Sequence, residues 1–510
     1  MLVPGYCLQR RVVRFTGAGL VVLCLTLGLL YSFQYDLSTW NRAVGGFPPS
    51  LSSSPPEDFR DHAVAYCSPD SSSGLTCFHS RNPGNGETDS TCFGRGADFD
   101  VQSGKFSLEC DIRSLSSEES DRGLVAFESI RSYWYETGPP EIFKAGVHIH
   151  APQAAAEKPR HENADNAADG ESETHDAESQ DAEAAVIETA PKNFLLLKRE
   201  GESNPWHCLL EIFSAWISFD VLRISRDPTN QDLPFFRVPD DVSDTQVVIL
   251  DDREDGPYFD LWTLFASARK PVRLRQLAEQ PKLANAIHQA NIIVPLAGSS
   301  NPMWKDDVEE ANCYSMPLVS VFVQRVLGFY QVPDPAPRKA DDPVTVTFVD
   351  RTGSRRLVDQ SSMFEELKKR NPHIFFQAID FGAIPFSEQL AIVRNTDLLV
   401  GVHGAGLTHS LFMREDAGAV VEIQPEGVNY RMFRNCAHLR GSGYYRVHAK
   451  EIKEGEESRA LEEGQSAKRH GKRGDWHFHD VQIEPERFFD VVEAAAKSLY
   501  GNGVWDYDVN

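Results

Sequence analysis

The sequence predicts an α/β protein of two domains behind an N-terminal membrane anchor, and three features predict it. Apolar runs of five to seven residues alternate with amphipathic helical stretches through the second half of the chain. Four prolines within residues 332–343 (VPDPAPRKADDP) break that pattern and mark the boundary between the domains. Near the start, residues 15–33 (FTGAGLVVLCLTLGLLYSF) carry no charge at all.

As a helix, that uncharged stretch would be about 28 Å long, enough to cross a bilayer core. Arg10, Arg11 and Arg14 precede it and Asp36 is the first charge after it. The positive-inside rule therefore leaves residues 1–14 cytosolic and everything after 33 lumenal, a single-pass type II arrangement in the endoplasmic reticulum or Golgi membrane. A cleaved signal peptide fits less well, because the stretch exceeds a usual h-region and no A-x-A-like site follows. Residues 34–60, with FPPSLSSSPP, read as a stem.

The 9 cysteines suit an oxidising lumen. Cys67, Cys77, Cys92 and Cys110 crowd a Gly/Ser/Asn-rich stretch expected to be loops tied by one or two disulfides. Zinc is the weaker alternative, since no C-x-x-C pair occurs. Cys208, Cys313 and Cys436 are isolated, and are expected as buried thiols or one long-range bridge.

A length of 510 residues allows two or three domains. The balance of 51 Lys+Arg against 75 Asp+Glu, net -24, repels a polyphosphate backbone and argues against nucleic acid as a partner. Residues 151–192 hold eleven acids against three bases with almost no large apolar side chain, so they read as a solvated insertion. A second charged tract covers 450–474. The expected domains are 61–335 and 340–510.

In the second domain, strands are expected at 344–350, 374–380, 397–403, 419–424 and 444–448, with helices at 362–370, 387–395, 407–413 and 430–439. Most of these strands are apolar on both faces, which specifies a parallel sheet covered on both sides: a doubly wound, Rossmann-like domain. In the first domain, strands at 194–199, 245–251 and 290–296 with helices at 206–222 and 259–268 predict a second, less regular α/β unit. A closing amphipathic helix at 486–500 is expected to pack back across the first domain.

The chemistry concentrates at residues 401–406, GVHGAG, where a strand runs into a helix. Small residues there let the amides of Gly404, Ala405, Gly406 and Leu407 and the helix's positive end approach a phosphate. Arg351 follows the first strand and projects from the same edge of the sheet. Glu422 lies near the carboxyl end of the next strand, where an acid accepts hydrogen bonds from ribose hydroxyls. Together these residues describe a nucleotide site. Glycines at such turns also serve purely steric needs. A nicotinamide dehydrogenase would place G-x-G-x-x-G after its first strand, and a serine esterase needs a G-x-S-x-G elbow, which is missing.

DLLVGVHGAGLTHSLFM followed by VVEIQP resembles the signature of glycosyltransferase family 61, and NPWHCLLEIFSAW (204–216) resembles that family's N-x-x-H helix start. YWYETGPPEIFKAGVHI (133–149) resembles the branch directed to EGF domains. The resemblance implies a GT-B architecture, two Rossmann-like domains facing a cleft, with the nucleotide-sugar on the second. It implies inverting transfer from a UDP-sugar, most simply of N-acetylglucosamine, to a hydroxyl of a secretory protein or glycan acceptor. A β-1,2-xylosyl transfer and an inactive nucleotide-sugar or glycan-binding relative are the alternatives. His207 would be the base, with Glu211, one helical turn on, as its alternative or its orienting group. Arg351 and the loop amides would stabilise the departing diphosphate, with His403 or His409 touching phosphate or sugar, so no obligatory metal or cofactor is expected. Asp506-Tyr507-Asp508 spells the metal-binding D-x-D of another transferase class but is expected to be a solvated tail.

Overall fold

The structure is a computed structural model and describes residues 55–81, 87–152, 190–230, 232–237, 240–265, 269–305, 316–336, 339, 342–452, 476–500 and 506–509. The expected anchor, most of the stem and of both charged insertions, and Cys313 lie outside them. Among the described residues, no helix is long and apolar enough to cross a membrane.

The chain folds as a mixed α/β protein around two large sheets. In the first, β1 (Ala63–Ala65), β2 (Gly74–Arg81), β3 (Thr88–Asp100), β4 (Lys105–Glu109), β5 (Val147–His150) and β6 (Asn193–Leu197) come before a separate two-stranded pair, β7 (Arg226–Asp227) and β8 (Leu233–Pro234). The sheet then takes β9 (Thr245–Ile249), β10 (Val272–Arg273) and β11 (Ala290–Val294), in the order β1-β2-β3-β11-β6-β9-β10, with β4 and β5 added beside β3. Strands β11, β6, β9 and β10 are mutually parallel, as the alternating pattern predicts. Strands β1, β2 and β3 are antiparallel.

These last strands correct the sequence reading. The cysteine-rich stretch is not loop but a hairpin in which Cys77 faces Cys92 across the β2–β3 ladder and bonds to it; Cys67 bonds to Cys110. Glycines hid the strands because side chains of neighbouring strands, and not their own, fill the space beside them. A Cβ on Gly94, for instance, would lie only 3.0 Å from Ile292 Cδ1. Cys208 is a buried free thiol, and Cys436 is buried as well.

The second sheet comprises β12 (Val344–Asp350), β13 (Ile374–Asp380), β14 (Leu398–Val402), β15 (Ala419–Pro425), β16 (Gly443–Ile452), β17 (Asp480–Gln482) and β18 (Asp506–Val509). Its order is β13-β12-β14-β15-β16-β17, with β18 also on β16. Strands β12 to β16 are parallel throughout, matching the expected strands closely. Because the chain lays β13 on one side of β12 and β14 on the other, its direction of winding reverses between β12 and β14. Open parallel sheets hold ligands beyond the carboxyl ends of the strands at such a reversal.

Alternation along the buried strands divides the packing into layers. Val346, Phe348, Leu398, Val400 and Val421 face Phe488, Val492 and Ala496 of the closing helix Pro485–Ser498. That helix covers the second sheet, not the first domain, so its expected position is corrected; its apolar stripe fits the nearer sheet. On the other face, Val349, Leu399, Val420 and Tyr444 join one core with Leu195, Leu197, Val247 and Ile249 of the first sheet. Each such side chain contributes about 1.5–3 kcal/mol by burial. The long helix Pro205–Ile224 runs through this shared core and is apolar almost all round, as a helix enclosed on every side must be.

Three further expectations change. Residues 405–412 and 259–265 form 3-10 turns, not α-helix. Residues 506–509 are no solvated tail: they pair in parallel with Tyr444, Tyr445, Arg446 and Val447 of β16.

Candidate active site

The carboxyl ends of the parallel strands of both sheets open onto a crevice of about 710 Å³. Ser203, Asn204 and Tyr258 contribute from the first sheet, and residues 349–355, 380–382, 405, 406 and 409 from the second. Asn204 caps the helix Pro205–Ile224, its side chain accepting from the Trp206 amide at 3.0 Å. The cap fixes the helix start against the crevice.

The second sheet supplies Arg351 and Arg355, with Asp350 and Asp380 on the same wall. Strand β14 ends at Val402, His403 follows it, and Gly404 turns the chain into the 3-10 helix Ala405–Phe412, whose Leu407 amide donates to Gly404 O at 2.9 Å. Gly404 has φ +154°, and a Cβ there would lie 2.9 Å from Nη1 of both Arg351 and Arg355. Only glycine lets two guanidiniums close on the turn. A Cβ on Gly406 would lie 2.7 Å from Val349 Cγ1, so the helix can start this close to β12 only without a side chain. Arg351 Nε donates to Ser354 O at 2.8 Å and Arg355 Nη1 to His403 O at 3.0 Å, which aims both groups. Burial pushes Arg351 down from the ordinary arginine value, with Asp380 opposing. Its charge is desolvated further than the protein compensates, and an incoming diphosphate would relieve that cost.

His403 is 5% exposed and sits beside the crevice turn. Its Nδ1 is hydrogen-bonded to Glu422 Oε1, while Glu422 Oε2 accepts from Tyr444 O–H. The ring stacks on Tyr430, centroids 5.2 Å apart, with Phe433 and Trp476 closing around it. This corrects the expectation for Glu422. The carboxylate is 0% exposed with both oxygens engaged by protein, so it orients His403 and does not meet ribose. His409 is corrected likewise: Nδ1 is 2.9 Å from Gly406 O, and Nε2 is 2.6 Å from Gln389 Oε1. Gln389 Nε2 is itself committed to the carbonyls of Phe381 and Ile384, and burial pushes the imidazole down to about 4. His409 thus braces the crevice floor, with both ring nitrogens engaged by protein.

On the first sheet, His207 lies one turn into the capped helix with its side chain 14% exposed. Tyr135 and Trp304 hold it edge-on, centroids 4.8 and 4.5 Å away. Burial pushes it down to about 4, with Arg253 adding to the effect. The carboxylate beside it is Glu200, whose Oε2 is 4.0 Å from His207 Nδ1. Glu211 lies deeper, its Oε1 accepting from the Glu200 amide at 2.7 Å. Burial first and the Glu200 charge second raise Glu211 well above the usual carboxylate range. A protonated acid is not a base, so the alternative role given to Glu211 is withdrawn.

Sequence reasoning missed Glu200, Arg355, Tyr430 and Tyr444. Glu200 directly follows the run read as a strand at 194–199, at the carboxyl end of a parallel strand, and that position was its signal. Arg355 has φ +57°, a left-handed turn that no local pattern announces. Among the described residues, no group of three or more His, Cys, Asp or Glu is placed to hold a metal ion.

The fold and crevice define an α/β protein with two arginines and two aspartates at the carboxyl ends of its second sheet. Residues 206–420 match the family described as glycosyltransferase 61, and over that span the chain resembles this family plainly. His207, Arg351, Arg355 and the loop 403–409 all fall inside the match. The EGF domain-specific O-linked N-acetylglucosamine transferase of Drosophila melanogaster is 28% identical over 188 residues, 37% of this chain and 34% of that protein. Proteins of that name from Gallus gallus and Pan troglodytes are 32% and 33% identical over 137 residues, 26% of this chain and 25% of theirs. The chain therefore matches between a quarter and a third of the length of these relatives.

Proposed function

We propose that the protein is a GT-B glycosyltransferase that moves N-acetylglucosamine with inversion from UDP-GlcNAc to a hydroxyl of a secretory protein or glycan. The observation that carries this reading is the convergence of Arg351 and Arg355 on Gly404, at the winding reversal of a parallel sheet. Two guanidiniums and the first amides of the 3-10 helix supply charge-assisted hydrogen bonds of about 1.5–3 kcal/mol each, directed where a leaving diphosphate gains charge. His207 takes the proton of the acceptor hydroxyl as its oxygen bonds to the anomeric carbon. The bond from that carbon to the diphosphate breaks, and its electron pair leaves on UDP.

The relatives' names, EGF domain-specific and N-acetylglucosamine transferase, support this donor and a folded extracellular domain as acceptor. Disulfides Cys67–Cys110 and Cys77–Cys92 support a lumenal site of action, with residues 15–33 as the anchor in the endoplasmic reticulum or Golgi membrane. The reaction proceeds without an obligatory metal.

The test is UDP release from a panel of UDP-sugars, with and without chelator, for the wild type, Arg351→Ala and His403→Ala. Release from UDP-GlcNAc that survives chelator and is lost in both variants, while each still unfolds cooperatively, is the expected result. Preference for UDP-xylose would move the protein to xylosyl transfer. Binding of UDP without transfer or hydrolysis would make it a binding relative.

A further inference from the structure

Glu200, His207 and Glu211 form a buried group whose polar atoms are only half satisfied. Glu200 Oε1 accepts three hydrogen bonds, from Thr137 Oγ1 at 3.0 Å and from the Ser299 amide and hydroxyl at 2.9 Å each. Its other oxygen, Oε2, is buried without a partner, and so is His207 Nδ1. The two atoms face each other at 4.0 Å. A buried acceptor left unmade costs about 1–3 kcal/mol, so a donor and an acceptor orphaned opposite one another are poised to close.

Burial raises the Glu200 carboxyl above its ordinary range, and the three donors on one oxygen oppose that and favour its ionised form. Glu211, whose Oε2 is also unpartnered, takes the proton the pair must share. A Cβ on Gly298 would lie 2.7 Å from Glu211 Cγ and 3.0 Å from Glu200 Oε2, so the chain is stripped of side chain where the acids pack. Other charges near His207 are Arg253, which disfavours its protonation, and the Arg199–Asp251 pair behind the acids.

We propose that Glu200 is the positioning residue for His207: its Oε2 accepts Nδ1–H, fixing the tautomer that leaves Nε2 free to take the acceptor hydroxyl's proton. This rests on the transferase reading above. As Nε2 is protonated, the imidazolium's charge is offset by Glu200, and the proton on Glu211 keeps the acid pair singly charged.

The experiment has two arms on the full chain. Glu200→Gln, which keeps shape and removes charge, is expected to lower kcat about 100-fold or more with KM for the UDP-sugar unchanged. The acid limb of its pH–kcat profile moves to lower pH, because the imidazolium loses its counter-charge; Glu200→Asp restores part of the rate. An unchanged kcat or an unmoved acid limb overturns the proposal. The second arm needs no variant at position 200 and no turnover. In histidine-labelled wild type, the ¹⁵N resonances lost in His207→Asn are expected to report neutral imidazole protonated at Nδ1. Protonation at Nε2 overturns the proposal. If the wild type turns over no UDP-sugar, the transferase reading fails, and the tautomer still decides whether Glu200 positions His207.

Discussion

Glu422 lies directly beneath His403, binding its Nδ1 with one carboxylate oxygen and the Tyr444 hydroxyl with the other. With no exposure, the Glu422 carboxyl has the cost of its burial offset by hydrogen bonds on both oxygens. Burial and then the Glu422 charge raise the Tyr444 phenol well above its usual value, so it stays a donor. Tyr444→Phe therefore strands one Glu422 oxygen and is expected to cost about 1–3 kcal/mol in denaturant unfolding. A loss below about 0.5 kcal/mol would mean that Glu422 does not depend on this bond.

Gly404→Ala places a methyl 2.9 Å from both guanidiniums. These are mobile ends, so they shift and the fold persists. The expected outcome is UDP binding weakened about tenfold, equivalent to ~1.4 kcal/mol, with a loss of unfolding free energy of about 1–3 kcal/mol at most. Calorimetric titration and thermal melting read the two effects separately.

Glu211 carries a stability cost that depends on pH. Its folded-state pKa is raised, so the stability it contributes is complete below the unfolded value and is lost as pH rises toward the folded one. Glu211→Gln removes that ionisation. The variant is expected to be more stable than wild type at pH 8, with the advantage shrinking toward pH 4.5. Denaturant midpoints across that range check it, and an advantage that grows on acidification would reverse the assignment. The rate of Glu211→Gln should remain within about tenfold of wild type.

The Cys77–Cys92 bond closes a sequence separation of 15 residues between directly paired strands. Replacing both cysteines with alanine is expected to lower unfolding free energy by about 3 kcal/mol. Unfolding midpoints with and without reductant check this: reductant should lower the wild-type midpoint by more than that of the double variant.

Much of the second sheet was legible because its strands are buried on both faces, and continuous runs such as VTVTFVD and AVVEIQ have few other solutions. The anion loop was legible because its glycines cluster where a strand ends. What escaped depends on contacts distant in sequence. Glu422 and His403 belong to neighbouring strands, but only the packed structure reveals Tyr444 beneath them. Glu200 and His207 are joined by a turn, and their environment comes from Thr137, Ser299 and Trp304. The β2–β3 hairpin escaped because it is tied by a cross-strand disulfide and has a glycine filled over by Ile292 and Leu108 of other strands, which leaves little hydrophobic pattern of its own to read.

In the proposed reaction, Arg351 and Arg355 grip a diphosphate at Gly404. Calorimetric titration of UDP into wild type and into the double variant Arg351→Ala/Arg355→Ala tests it most directly. Saturable binding by wild type, weakened about 100-fold or more in a double variant that still unfolds cooperatively, is the predicted result. Equal affinity in the two proteins would show that these guanidiniums do not hold the diphosphate.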